Sequence, residues 1–79
     1  MTVEMTAEQI ARRIEAALPG ARAEVSGGDA HFSAVVTAPA FAGRSRVEQH
    51  KMIYDLFRDE MAREAIHALA LRTSVPAGG

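Results

Sequence analysis

The chain has 79 residues, 48% hydrophobic and 5% aromatic, with a formal charge of −1 and no cysteine. A chain this short makes one domain and buries only about 60% of the surface its unfolded form exposes, so its core is thin and built from Ala, Val, Ile, Leu and Met. Without thiolate it forms no disulfide, any soft-metal centre must draw sulfur from elsewhere, and the slightly negative charge withholds the phosphate neutralisation on which general nucleic-acid binding depends.

Met1 to Met5 carries no basic stretch before an apolar run. No apolar segment approaches the roughly 20 residues that span a bilayer, which predicts a soluble, cytoplasmic protein with no membrane contact. Thr6 followed three residues later by Gln9 is a capping-box pattern, and Ile10, Ile14 and Leu18 then recur at four-residue spacing. The spacing predicts a helix over 7–18, ended by Pro19-Gly20. Ala21, Ala23 and Val25 alternate with Arg22 and Glu24 as a half-buried strand, and Ser26-Gly27-Gly28-Asp29 supplies residues that tolerate positive φ in a hairpin turn. The return strand runs from His31 to Thr37. Phe32, Ala34 and Val36 share one face of it and His31, Ser33, Val35 and Thr37 the other.

Pro39 stops that strand, and the loop from Ala38 to Arg44 leads to Ser45 and Glu48, a second capping box. Val47, Ile53, Tyr54, Leu56, Phe57 and Met61 continue at helical spacing to about residue 63, with a break near Asp55. Ile66 to Thr73 reads as a third strand, with His67, Leu69 and Leu71 on one face and Ile66, Ala68 and Ala70 on the other. A helical crossover of this length returns the third strand parallel to its neighbour, with right-handed connection. The expected fold is α+β, in the order αββα(α)β, with helices on one face of a three-stranded mixed sheet. It forms a single domain over 1–76, followed by a flexible tail at 77–79.

Three histidines, His31, His50 and His67, are the whole set of soft-metal donors. None forms a helical i, i+4 pair and no two have the spacing of a local zinc motif, so a metal site has to be assembled in three dimensions. Taken by themselves, His67 reads as a histidine at the edge of the core and His31 as an exposed polar residue after a turn. His50 reads as a neighbour of the preceding loop. Arg44, Arg46 and Lys51, next to Gly43, form the one local basic cluster, whose plainest reading is a turn glycine and a solvated helix start. No nucleophile elbow or glycine-rich phosphate loop is present, and Asp55, Asp59, Glu60 and Glu64 look like a solvated acidic face. An enzyme is not expected.

The run Phe41-Ala42-Gly43-Arg44-Ser45-Arg46-Val47-Glu48-Gln49-His50-Lys51-Met52-Ile53-Tyr54, with Ile66-His67-Ala68-Leu69-Ala70-Leu71-Arg72-Thr73 further on, resembles the signature of the BolA family. The likeness extends from Ser26-Gly27-Gly28-Asp29-Ala30-His31-Phe32 through Phe41 to Pro76; the N-terminal helix fits in pattern and not in motif. The resemblance implies a fold like the class II KH domain and a bacterial BolA/IbaG-like protein. Such a protein would partner a monothiol glutaredoxin around a 2Fe-2S cluster, in iron–sulfur trafficking or in iron and redox regulation. It makes His67 the cluster ligand and His31 the candidate second donor, in a loop that is short here and offers His31, Asp29 or neither. Glutaredoxin and its glutathione would provide the sulfur, and this chain alone would hold no cluster.

The alternative that the resemblance implies is a DNA-binding transcriptional regulator of the stress response. There Gly43, Arg44, Arg46 and Lys51 would meet phosphates, a reading weakened by the net charge and by the lack of a Gly-x-x-Gly loop between helices. The free protein is expected to be a monomer, or at most a weak homodimer.

Overall fold

The computed structural model describes residues 5–76, so the expected tail at 77–79 lies outside the described residues. The first helix, α1 (Ala7–Ala17), starts as its capping box requires: the Thr6 hydroxyl accepts from the Gln9 N–H, and the Gln9 carboxamide oxygen accepts from the Thr6 N–H at 2.9 Å. Ile10, Ile14 and Leu18 are all buried, which places the predicted stripe on the sheet. Strands β1 (Arg22–Gly28) and β2 (His31–Thr37) pair antiparallel, and β3 (Ala68–Ser74) lies parallel to β2, in the sheet order β1-β2-β3. Ala23, Phe32, Ala34, Val36 and Leu69 turn into the core under α1 and α2 (Arg46–Leu56), while Glu24, Ser33, Val35, Ala70 and Arg72 line the opposite, open face. The helices therefore cover one face of a mixed sheet, as the pattern predicts.

The hairpin turn falls later than expected. Asp29 and Ala30, with φ of 52° and 67°, form the two-residue connection, and β1 continues through Gly28. Gly27 thus stays in the ladder opposite Phe32, where a Cβ would collide with the His31 carbonyl, so it answers a close approach of two strands rather than a turn.

The second capping box also forms, Ser45 with Glu48, and α2 runs on to Leu56. The helical break expected near Asp55 comes at Phe57. Phe57 has φ −119° and donates its N–H only to Tyr54 O, because its ring, fully buried, enters the core between α2 and α3 (Arg58–Ala62). Val47, expected on the apolar stripe, is 78% exposed. The reason is angular: the buried face holds Gln49 and Ile53, four apart, and Val47 sits two positions from Gln49, about 200° around the helix.

Gln49 ties three segments together. Its Nε2 donates to the carbonyls of Phe41 (3.2 Å) and Arg44 (2.9 Å), and its Oε1 accepts from the Thr73 hydroxyl at 2.6 Å. Gln49→Leu removes all three bonds and leaves the part-buried Thr73 hydroxyl without its acceptor, and is expected to cost about 1–3 kcal/mol in urea denaturation.

Arg13 of α1 reaches the far helices. It donates to Glu60 at 2.8 Å and lies over the Phe57 ring, 5.2 Å from its centroid. The hydrogen bond from Arg13 holds the Glu60 carboxyl below its ordinary value of 4.5. A depressed folded pKa gives stabilisation that is complete above the ordinary value and is lost as pH falls through the lower folded one. Glu60→Gln is therefore expected to lower stability at neutral pH and to flatten its decline below about pH 4.5, in denaturation curves measured from pH 7 to pH 3.

Candidate metal centre

His31 is the first residue of β2, delivered by the tight turn at Asp29-Ala30. Its Nδ1 lies 2.9 Å from the Asp29 carbonyl oxygen. A carbonyl only accepts, so Nδ1 carries the proton and donates it, and the neutral ring keeps its lone pair on Nε2. Metal-binding histidines are oriented in the same way, by a second partner on the other ring nitrogen.

His67 arrives from the other side through a defined helix end. The N–H of Ala65 donates to Glu60 O at 2.8 Å and that of Glu64 to Met61 O at 3.2 Å, with Glu64 at φ 63°, a Schellman motif that reverses the chain after α3. Ile66 then drops into the core, 1% exposed. The N–H groups of His67 and Ala68 both donate to the Ala30 carbonyl, at 2.7 and 3.1 Å. Two successive donors on one carbonyl break the alternation of a strand, so β3 starts at Ala68 and not at Ile66. For that reason His67 does not share the inward face of Leu69 and Leu71 or sit at the edge of the core; it is exposed.

The same carbonyl fixes His67 beside the hairpin tip, and the two imidazoles meet there. Their centroids lie 5.8 Å apart with planes inclined by 19°, a stacked pair on an accessible end of the sheet. His50 stays apart, half-buried on α2, and among the described residues its Nε2 has no hydrogen-bond partner. The side chain that bonds the preceding loop is that of Gln49, one residue before His50.

Among the described residues no cluster of three or more His, Cys, Asp or Glu side chains forms a metal site. The pair thus offers two imidazole donors, about half of what a tetrahedral metal takes. Such a donor set fits the exposed edge of a metal centre whose other ligands come from a second molecule.

The basic cluster lies on the helix α2 side of the fold. Arg44, Arg46 and Lys51 are exposed, and among the described residues none has a carboxylate within 4.0 Å. Gly43 adopts φ 76° with open space where a Cβ would stand, so backbone conformation alone accounts for it. The Ser45 N–H, followed by its hydroxyl, draws the Glu48 carboxyl below its usual range, which leaves that carboxylate ionised in the helix cap beside the cluster.

The groups that hold the histidines in place, the carbonyls of Asp29 and Ala30, escape sequence reading because every residue carries a carbonyl. Asp-Ala also lacks the Asn-Gly signature of a two-residue hairpin.

Fold and site together define a class: a small α+β domain that presents two imidazoles and no thiolate from one end of a mixed sheet. The chain belongs to the BolA family, whose model, described as BolA-like protein, matches residues 3–78. It is 40% identical over 50 residues to SufE-like protein 1, chloroplastic/mitochondrial, of Arabidopsis thaliana, covering 63% of this chain and 13% of that protein. Over 48 residues it is 35% identical to the DNA-binding transcriptional regulator BolA of Escherichia coli K12, covering 61% and 45%. Over 53 residues it is 32% identical to the acid stress protein IbaG of the same strain, covering 67% and 63%. The chain thus spans less than two thirds of the length of each of these curated relatives. The solved structure of a bolA protein homologue from Coxiella burnetii is 34% identical, with a TM-score of 0.78 over 91% of this chain and 92% of that one. Among the described residues no helix is long and apolar enough to cross a membrane.

Proposed function

We propose that this protein is a non-enzymatic BolA-type adaptor in which His67 and His31 complete a 2Fe-2S cluster bridged to a monothiol glutaredoxin, for iron–sulfur trafficking or iron and redox regulation. The observation that carries this reading is the exposed imidazole pair, 5.8 Å between centroids, in a chain without cysteine. The resemblance to the family suggests the partner, and donor chemistry supports the division of labour. Imidazole can replace thiolate on one iron of a two-iron cluster and raise its potential. The Asp29 carbonyl keeps the His31 proton on Nδ1 and leaves Nε2 to donate, while the Ala30 carbonyl holds the His67 backbone beside it. Sulfur ligands come from glutaredoxin and glutathione, and membership in a family of regulators and adaptors supports the non-enzymatic reading. Adding the protein to cluster-loaded glutaredoxin is expected to perturb the visible absorption and circular dichroism of the cluster. Unchanged spectra at stoichiometric excess contradict the reading.

A second reading, a cytoplasmic DNA-binding regulator, rests on Arg44, Arg46 and Lys51, which have no ion-pair partner among the described residues, and on the relative named as a DNA-binding transcriptional regulator. It requires retardation of duplex DNA with steep salt dependence, weakened by Arg46→Ala or Lys51→Ala. Absence of binding at low salt removes it.

A further inference from the structure

Among the described residues strand β3 forms an edge of the sheet, paired only with β2. Along a strand the backbone groups of successive residues point to opposite sides. The Ala68 N–H donates to Ala30 and the Ser74 carbonyl accepts from Ala38, both on the β2 side, so Ala68, Ala70, Arg72 and Ser74 face β2 while Leu69, Leu71 and Thr73 face outward. The Leu69 carbonyl accepts from the Tyr54 hydroxyl at 2.9 Å. Among the described residues, the outward N–H and C=O groups of Leu71 and Thr73 have no partner. An unpaired edge of this kind is a template for another strand.

That stretch borders a recess of about 450 Å³, lined by Arg46, His50, Leu71, Arg72 and Thr73. Arg46 and Arg72 are exposed, no carboxylate lines the recess, and neither guanidinium has an ion-pair partner among the described residues. His50, whose Nε2 is shut from solvent and has no hydrogen-bond partner among the described residues, lies in the same wall. The imidazole pair is a separate surface, since Leu71 lies four residues, about 13 Å of strand, from His67.

We propose that the free edge of β3 beside Arg46, His50 and Arg72 is a docking groove for an extended acidic segment of a partner protein, which joins the sheet as a fourth strand and sets its carboxylates against the two arginines. A peptide strand supplies both donors and acceptors to Leu71 and Thr73 and gains specificity from alternate side chains. A nucleic-acid backbone supplies acceptors to the N–H groups and leaves the carbonyls unpaired. The recess also has no Phe, Tyr or Trp ring on which a base could stack. The charge complementarity therefore favours an acidic peptide. The inference stands independently of the cluster reading, because neither histidine of the pair takes part.

The test is a titration of the ¹⁵N-labelled full chain with an acetylated, amidated Glu-Val-Glu-Val-Asp peptide at low salt, followed by amide chemical shifts and hydrogen exchange. Shifts are expected to centre on Leu71 and Thr73, with exchange of those amides slowed at least tenfold at saturation. The double variant Arg46→Glu/Arg72→Glu, both sites being exposed, is expected to keep its far-ultraviolet circular dichroism and to bind at least tenfold more weakly. The same peptide N-methylated at alternate residues keeps its charge and cannot pair as a strand, so it is expected not to bind. Equal binding of the N-methylated peptide, no shifts at Leu71 and Thr73 at millimolar peptide, or displacement of the peptide by oligothymidylate of equal charge at lower concentration would each overturn the proposal.

Discussion

His67→Ala is expected to abolish the spectral change that this protein causes in a glutaredoxin-bound cluster, while changing its folding stability by no more than about 0.5 kcal/mol. The two outcomes separate because the two parts of His67 do different work. Its side chain is exposed and stacked only on His31, so removing it opens no cavity. Its structural bond runs through the backbone N–H to the Ala30 carbonyl, which alanine retains. His31→Ala removes the second donor and its bond to Asp29, so it is expected to shift and weaken the spectral change without eliminating it. His50→Ala, away from the pair, is expected to leave the cluster spectra as they are. Absorption and circular dichroism of the mixed proteins, beside thermal denaturation of each variant alone, distinguish loss of a ligand from loss of the fold.

Phe41→Ala has the largest expected effect on stability. Phe41 ends the 3₁₀ turn Pro39–Phe41, is fully buried, and accepts through its carbonyl from both Gln49 and Arg44. Truncating a buried phenylalanine costs about 3–5 kcal/mol through lost transfer energy and the cavity left behind. A domain of this length has about 4–12 kcal/mol in total, so urea denaturation is expected to show a midpoint at least about a quarter below the wild-type value. Val47→Ala, at a position 78% exposed in the same signature run, is the control and is expected to change stability by less than about 0.5 kcal/mol. The family signature from Phe41 to Tyr54 is thus mainly architecture: a core aromatic, a left-handed glycine, a capped helix and the Gln49 bonds that hold them to β3.

Features decided by neighbours in sequence were legible before the structure. Both capping boxes, the stripe Ile10, Ile14 and Leu18, and the alternation of β2 all depend on contacts within four residues, and all are present. Those decided across the fold were not. Val47 matched an apolar spacing, yet the face that meets β3 is set by the polar Gln49, because its carboxamide satisfies two loop carbonyls and a threonine hydroxyl. Ile66-His67-Ala68 reads as strand by alternation, but the Schellman reversal after α3 and the shared Ala30 carbonyl turn His67 out of register. The candidate site was legible as residue types and not as geometry. Sequence and resemblance named His67 and His31, and the stacked arrangement followed only from a turn at Asp29-Ala30 that lacks the usual glycine. Arg72 in the sequence is a lone charge in a strand. Its relation to Arg46 exists only because the crossover lays α2 beside the free edge of β3.

The central claim is that imidazole nitrogen from this chain binds cluster iron. Hyperfine spectroscopy tests it on the reduced cluster formed between unlabelled glutaredoxin and this protein labelled with ¹⁵N-histidine. The account predicts nitrogen couplings of iron-bound imidazole that change from the ¹⁴N to the ¹⁵N pattern on labelling and that vanish in His67→Ala. Couplings that are absent, or that do not respond to the label, would contradict it.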